Sequence, residues 1–79
     1  MEIKEDRLLD ASGLSCPMPV VKAAKEMRAL APGQVLKIVA TDRGALADIP
    51  AWADDTGNEL LHTEDDGAKL VFLVRKGAE

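Results

Sequence analysis

Large apolar residues recur along the chain in short runs separated by Gly, Pro and Asp, and the spacing within each run decides which element it predicts. Arg7 to Ala11 (RLLDA) is a short apolar run closing on Ser12-Gly13, which predicts a strand ending in a turn. Val20, Ala24, Met27 and Ala31 then recur at spacings of four, three and four, with Val21 and Leu30 widening the stripe. That spacing predicts an amphipathic helix. Pro17 and Pro19 mark its start, because the first-turn N–H groups of a helix have no intrahelical partner, and Pro32-Gly33 ends it. Val35 to Ala40 (VLKIVA) is β-branched and short, and predicts a largely buried strand, after which Thr41-Asp42-Arg43-Gly44 turns the chain. The segment Ala45 to Thr56 carries Leu46, Ile49, Trp52 and Ala53 on one side and predicts a second helix stopped by Gly57. In this reading Asp48 is its N-cap, Pro50 sits in its first turn, and residues 45 to 47 are a looser lead-in. Glu59 to Thr63 and Lys69 to Arg75 predict the last two strands, joined by Asp66-Gly67 as a two-residue hairpin in which both residues tolerate positive φ.

The resulting order is βαβαββ. In 79 residues there is room for one core, so the expected fold class is α+β: a two-layer α/β sandwich with both helices packed on one face of a single four-stranded mixed sheet. The whole chain, 1–79, is expected to be one domain with an ordered core over about residues 7–76. The first six and last three residues are expected to fray.

Composition narrows the function classes. Ten Lys and Arg against fourteen Asp and Glu give a net charge of −4, a balance from which a phosphate-neutralising face is hard to build. Direct nucleic-acid binding is therefore not expected. No apolar run approaches the roughly 18 residues needed to span a bilayer, and the opening Met-Glu-Ile-Lys-Glu-Asp is charged rather than signal-like. No membrane role is expected. The single cysteine cannot form an internal disulfide, which fits a reducing cytoplasm.

That cysteine lies in the stretch Gly13-Leu14-Ser15-Cys16-Pro17-Met18-Pro19. A residue before proline is pushed into an extended conformation, so Cys16 is expected just outside the helix that Pro17 begins. The donors left in the first turn are Met18 and, beyond it, Val20. Together with the helix dipole they would favour thiolate over thiol, as they would the terminal sulfur of a persulfide. Cysteines at helix starts can fall from a pKa of about 8.5 to roughly 3.5–7.5, and alkylation of Cys16 appreciably below pH 8.5 is the corresponding expectation. The competing reading is that a lone cysteine is a small buried apolar residue. A Gly-led loop at a helix start is a poor place for deep burial, and the two readings stand level on the residues alone.

Several cysteine chemistries are excluded. A dithiol oxidoreductase needs a second Cys, and a Cys-His hydrolase needs a base beside the nucleophile, whereas the one histidine, His62, falls in the third strand. A metal site on one Cys and one His would have to recruit carboxylates, and none is expected. No cofactor motif is present. Met18, between the prolines, reads either as an adaptable apolar contact for a partner or as a spacer. Lys22, Lys25 and Arg28 form a basic flank on the first helix, either a solvated face or a docking site for an acidic partner. Trp52 reads as a core lid on the second helix.

Over nearly its whole length, from Leu9-Asp10 through Lys76, the chain resembles the TusA/SirA-like sulfur carrier family. The hallmark is Cys-Pro-x-Pro after a glycine loop, here Gly13 to Pro19, followed in order by Pro32-Gly33, Asp42, Asp48-Ile49-Pro50, Trp52, Gly57-Asn58-Glu59-Leu60 and Phe72-Leu73-Val74-Arg75-Lys76. The resemblance implies that Cys16 receives sulfane sulfur as a transient persulfide from a cysteine desulfurase or rhodanese and hands it to an acceptor protein. It implies no bound cofactor. The pathways it implies are tRNA thiolation, molybdenum cofactor assembly or other sulfur metabolism. Gly13, Pro17, Met18 and Pro19 would shape the site, with Lys22, Lys25, Arg28 and Asp42 available for docking. Arg43 stands where many members have Pro, and Ala53 where some have a second Cys, which removes any intramolecular disulfide. The alternative is a regulatory or protein-interaction domain using the same fold.

Overall fold

The computed structural model describes residues 4–77. In chain order it contains β1 (Arg7–Ala11), α1 (Met18–Arg28), β2 (Val35–Ala40), α2 (Ala45–Asp55), β3 (Glu59–Asp65) and β4 (Leu70–Arg75). The four strands form one sheet in the order β1-β2-β4-β3, with β1 parallel to β2 and the other two pairings antiparallel. This is the expected mixed sheet, and both helices pack on one face of it.

Alternation along the strands builds the core. Leu36, Ile38 and Ala40 of β2 and Leu70, Phe72 and Val74 of β4 are fully buried against Ala23 and Met27 of α1 and Ala45, Ile49, Trp52 and Ala53 of α2. Burying a side chain of the size of Phe72 or Ile49 contributes about 1.5–3 kcal/mol. Trp52 is in the core, as its pattern predicts. On the opposite face Leu73 is still only 9% exposed, because its cross-strand partners Lys37 and His62 flank it on both sides.

Both helices differ from expectation in detail. The buried face of α1 runs through Pro19, Ala23 and Met27 and on to Leu30, leaving Val20 and Ala24 half-buried and Val21 and Ala31 exposed. The apolar stripe is thus offset by one position. α2 starts at Ala45, with Gly44 as N-cap, and Pro50 lies inside it. Residues 45–47 are helical because the preceding turn caps them: the N–H groups of Ala45, Leu46 and Ala47 donate to the carbonyls of Asp42, Arg43 and Gly44. Pro50 removes one internal donor, the one that would reach the carbonyl of Leu46, a residue at the surface. Leu46 is 37% exposed and is not part of the core.

The stop after α2 is as expected. Gly57 takes φ +75°, and the N–H groups of Gly57 and Asn58 donate to the carbonyls of Asp54 and Ala53 in a Schellman arrangement. The hairpin is not a two-residue Asp66-Gly67 turn. The β3–β4 ladder ends at Asp65 and Leu70, and of the two residues only Gly67 has positive φ. Asp66 instead closes the loop, its Oδ1 accepting from the N–H groups of Ala68 and Lys69. Near the termini Asp6 is not frayed: its N–H donates to the Val35 carbonyl and its carboxylate accepts from the Val35 N–H. Gly77 donates to Asn58 Oδ1. Residues 1–3 and 78–79, also expected to fray, lie outside the described residues. Among the described residues no helix is long and apolar enough to cross a membrane.

Candidate functional site

The parallel pairing of β1 and β2 positions the site. Ala11 and Ala40 are paired at the ends of these strands, so the loops that follow them leave the same edge of the sheet side by side. One loop carries Cys16 and the other Asp42. Crevices beyond the carboxyl ends of parallel strands are the usual place for sites in α/β sheets.

Three backbone donors tie the loops together or shape them. Gly13, at φ +82°, donates to Thr41 Oγ1 at 2.8 Å; Cys16 N–H donates to Asp42 Oδ2 at 2.7 Å; and Gly44 N–H donates to Asp42 Oδ1 at 2.9 Å. Asp42 therefore grips both sides of the junction with separate oxygens. These contacts hold the Asp42 carboxyl below the usual carboxylate range, the Cys16 N–H contributing most and the Gly44 N–H next.

Cys16 is half-buried, outside the helix as the proline rule predicts, and its peptide bond to Pro17 is cis. Pro17 is the N-cap of α1 and Pro19 lies buried in its first turn, so both prolines shape the start of the helix. Met18, two residues after Cys16 in the chain, is 40% exposed. The sulfur packs over the N-cap of α2: a methyl group placed on Gly44 would lie 3.0 Å from Cys16 Sγ and 3.3 Å from Asp42 Oδ1. Asp48 stands one turn further along α2, its N–H donating to the Gly44 carbonyl, which puts it on the helix face that the sulfur covers.

This geometry overturns the expectation of a stabilised thiolate. The Cys16 thiol is raised to about 11, first by its hydrogen bond to Asp48, then by desolvation, then by the charges of Asp42 and Asp48. Of the two donors expected to serve the sulfur, Met18 is engaged elsewhere. Met18 N–H donates to the Ser15 carbonyl, and the N–H groups of Cys16 and Gly44 go to a carboxylate. At neutral pH the site holds a neutral thiol, and alkylation below pH 8.5 is expected to be slow. Asp48 and Gly44 are the neighbours that the sequence reading left out of the site. The signal for them was the spacing Gly44 to Asp48, one helical turn, which becomes visible only when α2 starts at Ala45.

The remaining candidates are dispersed. Lys22, Lys25 and Arg28 are exposed along α1 and form no ion pair among the described residues. Arg28 lies about 15 Å down the helix from Met18 at 1.5 Å per residue. It lines a separate cavity of about 350 Å³ with Met27, Trp52 and Lys76. Arg43 donates from both terminal nitrogens to Asp65, at 2.9 and 2.6 Å, and so points away from Asp42. His62 sits on edge strand β3, on the face opposite the helices, within 3.2 Å of Glu64. It plays no part at Cys16. Among the described residues no group of three or more His, Cys, Asp or Glu could hold a metal.

Fold and site together define a small α+β protein that presents one thiol where two loops meet. A family model, sulfurtransferase TusA, matches residues 7–76, and the chain belongs to that family. It is 48% identical over 71 residues to the sulfur carrier protein TusA of Allochromatium vinosum, covering 90% of this chain and 93% of that one. It is 52% identical over 77 residues to the Bacillus subtilis protein YrkF, covering 98% of this chain but only 42% of YrkF, so it spans less than half of that relative's length. Among solved structures, the SirA-like protein from Desulfitobacterium hafniense superposes with a TM-score of 0.73 at 26% identity, covering 90% of this chain and 97% of that one.

Proposed function

We propose that this protein is a sulfur carrier that accepts sulfane sulfur as a persulfide on Cys16 and relays it to an acceptor protein. The observation that carries the reading is the placement of a single thiol, half-buried at the meeting of the β1–α1 and β2–α2 loops, in a chain of the TusA family. Relatives at 40–48% identity bear the name sulfur carrier protein. The donor is a cysteine desulfurase or a rhodanese. The Cys16 sulfur attacks the outer sulfur of the donor's persulfide, the donor's S–S bond breaks, and the donor sulfur leaves and takes the proton that Cys16 gives up. The product is Cys16–S–SH, with no oxidant consumed. The second transfer reverses these roles with the acceptor.

No bound cofactor is required, and the exchange takes place between proteins in the cytoplasm. A chain with a net charge of −4 is poorly suited to binding RNA itself, so service to tRNA thiolation, molybdenum cofactor assembly or sulfur metabolism runs through the protein that receives the sulfur. A strain lacking the gene, complemented with the wild type or with Cys16→Ser, tests this. Thiolated tRNA nucleosides, molybdoenzyme activity and growth on reduced sulfur are read in each. Restoration of at least one by the wild type and by none with Cys16→Ser is expected; equal restoration by both would contradict the relay.

A further inference from the structure

We propose that Asp48, acting with Asp42, keeps the unloaded Cys16 in its neutral thiol form, and that loading requires a docking protein that brings a cation to these two carboxylates. The inference rests on the carrier reading for its second half; its first half concerns the thiol alone.

Geometry gathers the carboxylates around Gly44, where the sulfur packs. Gly44 has no side chain, and Sγ fills the space one would occupy. Asp48, four residues further along α2, is on the same helix face, so its carboxylate and the thiol share the surface over the first turn. Asp42 approaches from the β2–α2 loop, fixed by the N–H groups of Cys16 and Gly44. Forming a thiolate here would add a third negative charge to two. The upward shift of the thiol agrees with that placement.

The cations among the described residues do not offset this. Among the described residues the ion pairs are Arg7 with Glu26, Arg43 with Asp65 and Arg75 with Glu59, His62 is hydrogen-bonded to Glu64, and none of these includes Asp42 or Asp48. Arg43, next to Asp42 in the chain, has both terminal nitrogens on Asp65. Lys22 and Lys25 lie further along the exposed face of α1, and β1 contributes Asp10, whose carboxylate accepts from Ser12 N–H. The groups bearing on the thiol are the two carboxylates.

The surface around the sulfur suits a protein that would supply the missing charge. Met18, Val21 and Leu46 are 40%, 53% and 37% exposed, and they occupy the first two turns of α1 and the first turn of α2, the helix starts that meet at Cys16. A partner covering these side chains removes water from the site. An Arg or Lys it presents between Asp42 and Asp48 then acts in a lower dielectric, where its effect on the thiol is larger than at an open surface. Docking and activation of the sulfur become one event. A thiol that stays protonated on its own is also protected from stray oxidants.

The test is the pH profile of iodoacetamide alkylation of the unloaded protein, read by intact mass, for the wild type, Asp48→Asn, Asp48→Lys and, as a control on the exposed end of α2, Asp54→Asn. Asp48→Asn is expected to move the profile to lower pH and to raise the rate at pH 7.5 by about tenfold or more, one pKa unit being a tenfold change in thiolate. Asp48→Lys, which supplies a cation in place, is expected to be faster still, and Asp54→Asn unchanged. Melting curves for each variant establish that the fold is kept. A profile for Asp48→Asn coinciding with that of the wild type would overturn the role of Asp48, and Asp48→Lys no faster than Asp48→Asn would overturn the cation requirement. Faster alkylation of Asp48→Asn combined with no sulfur loading of the wild type by any desulfurase would sink the carrier reading while leaving the role of Asp48 intact.

Discussion

Gly44 leaves the gap that Cys16 fills: a Cβ on Gly44 would lie 3.0 Å from the sulfur and 3.5 Å from the cysteine Cβ. The backbone itself does not require glycine, since Gly44 has φ −60° and ψ −23°, a conformation any residue adopts. Gly44→Ala is therefore expected to behave differently in two backgrounds. With Cys16 replaced by Ala, the added methyl should stabilise the protein by about 0.4–1 kcal/mol through the unfolded chain. With Cys16 present, the contact with sulfur should remove that gain or reverse it. Chemical denaturation of the four proteins measures the difference, and equal effects in both backgrounds would show that the sulfur does not sit where described.

Asp42 accepts from two backbone N–H groups with two different oxygens. Asp42→Asn keeps one acceptor oxygen, so one of the two tethers must break. Amide hydrogen exchange at Cys16 or Gly44 is expected to accelerate relative to the wild type, with the amides of β2 and β4 unaffected. Unchanged protection at both amides would contradict the clasp.

The pair formed by Arg43 and Asp65 carries its own pH signature. Asp65 is lowered to about 2, chiefly by the hydrogen bond from Arg43 and then by the Gly67 N–H, against an ordinary value of 3.8. A depressed carboxyl stabilises the fold fully above its unfolded value, and that contribution is lost as the pH falls through the folded value. The difference in stability between wild type and Arg43→Ala should therefore be constant above about pH 4 and vanish toward pH 2. In an NMR titration the Asp65 carboxyl of Arg43→Ala should move up toward the ordinary value, stopping short of it because Gly67 still donates. An unmoved titration would count against the pair.

Phe72 is fully buried at the centre of the sheet and Leu8 is 57% exposed on edge strand β1. Phe72→Ala is expected to cost about 3–5 kcal/mol, a large part of the stability of so small a domain, and Leu8→Ala to stay within about 0.5 kcal/mol. Denaturant midpoints for the two variants check the assignment of the core to the helix-facing side of the sheet.

The limits of β1 and β2 were legible because turn residues, Ser12-Gly13, Pro32-Gly33 and Thr41-Asp42, mark them in the chain. The start of α2 was not. Pro50 and Asp48 gave a local signal for a first turn, but the N-cap is Gly44, and the turn before it is held by Asp42, whose carbonyl and carboxylate take the N–H groups of Ala45 and Gly44 from outside the apolar pattern. Cys16 and Asp42 could be named from residues and resemblance, while their contact depends on β1 and β2 pairing in parallel. The same tertiary contact reversed the electrostatics. Local sequence offered helix-start donors for a thiolate; the fold gives two of the nearby N–H groups to Asp42 and brings Asp48 to the sulfur.

The claim that Cys16 carries sulfur is tested most directly by incubating the protein with a cysteine desulfurase and cysteine and reading its intact mass. A mass increase of one sulfur atom that reductant removes, and that Cys16→Ser does not acquire, is the predicted result. No adduct on the wild type with any of several donors, or the same adduct on Cys16→Ser, would contradict it.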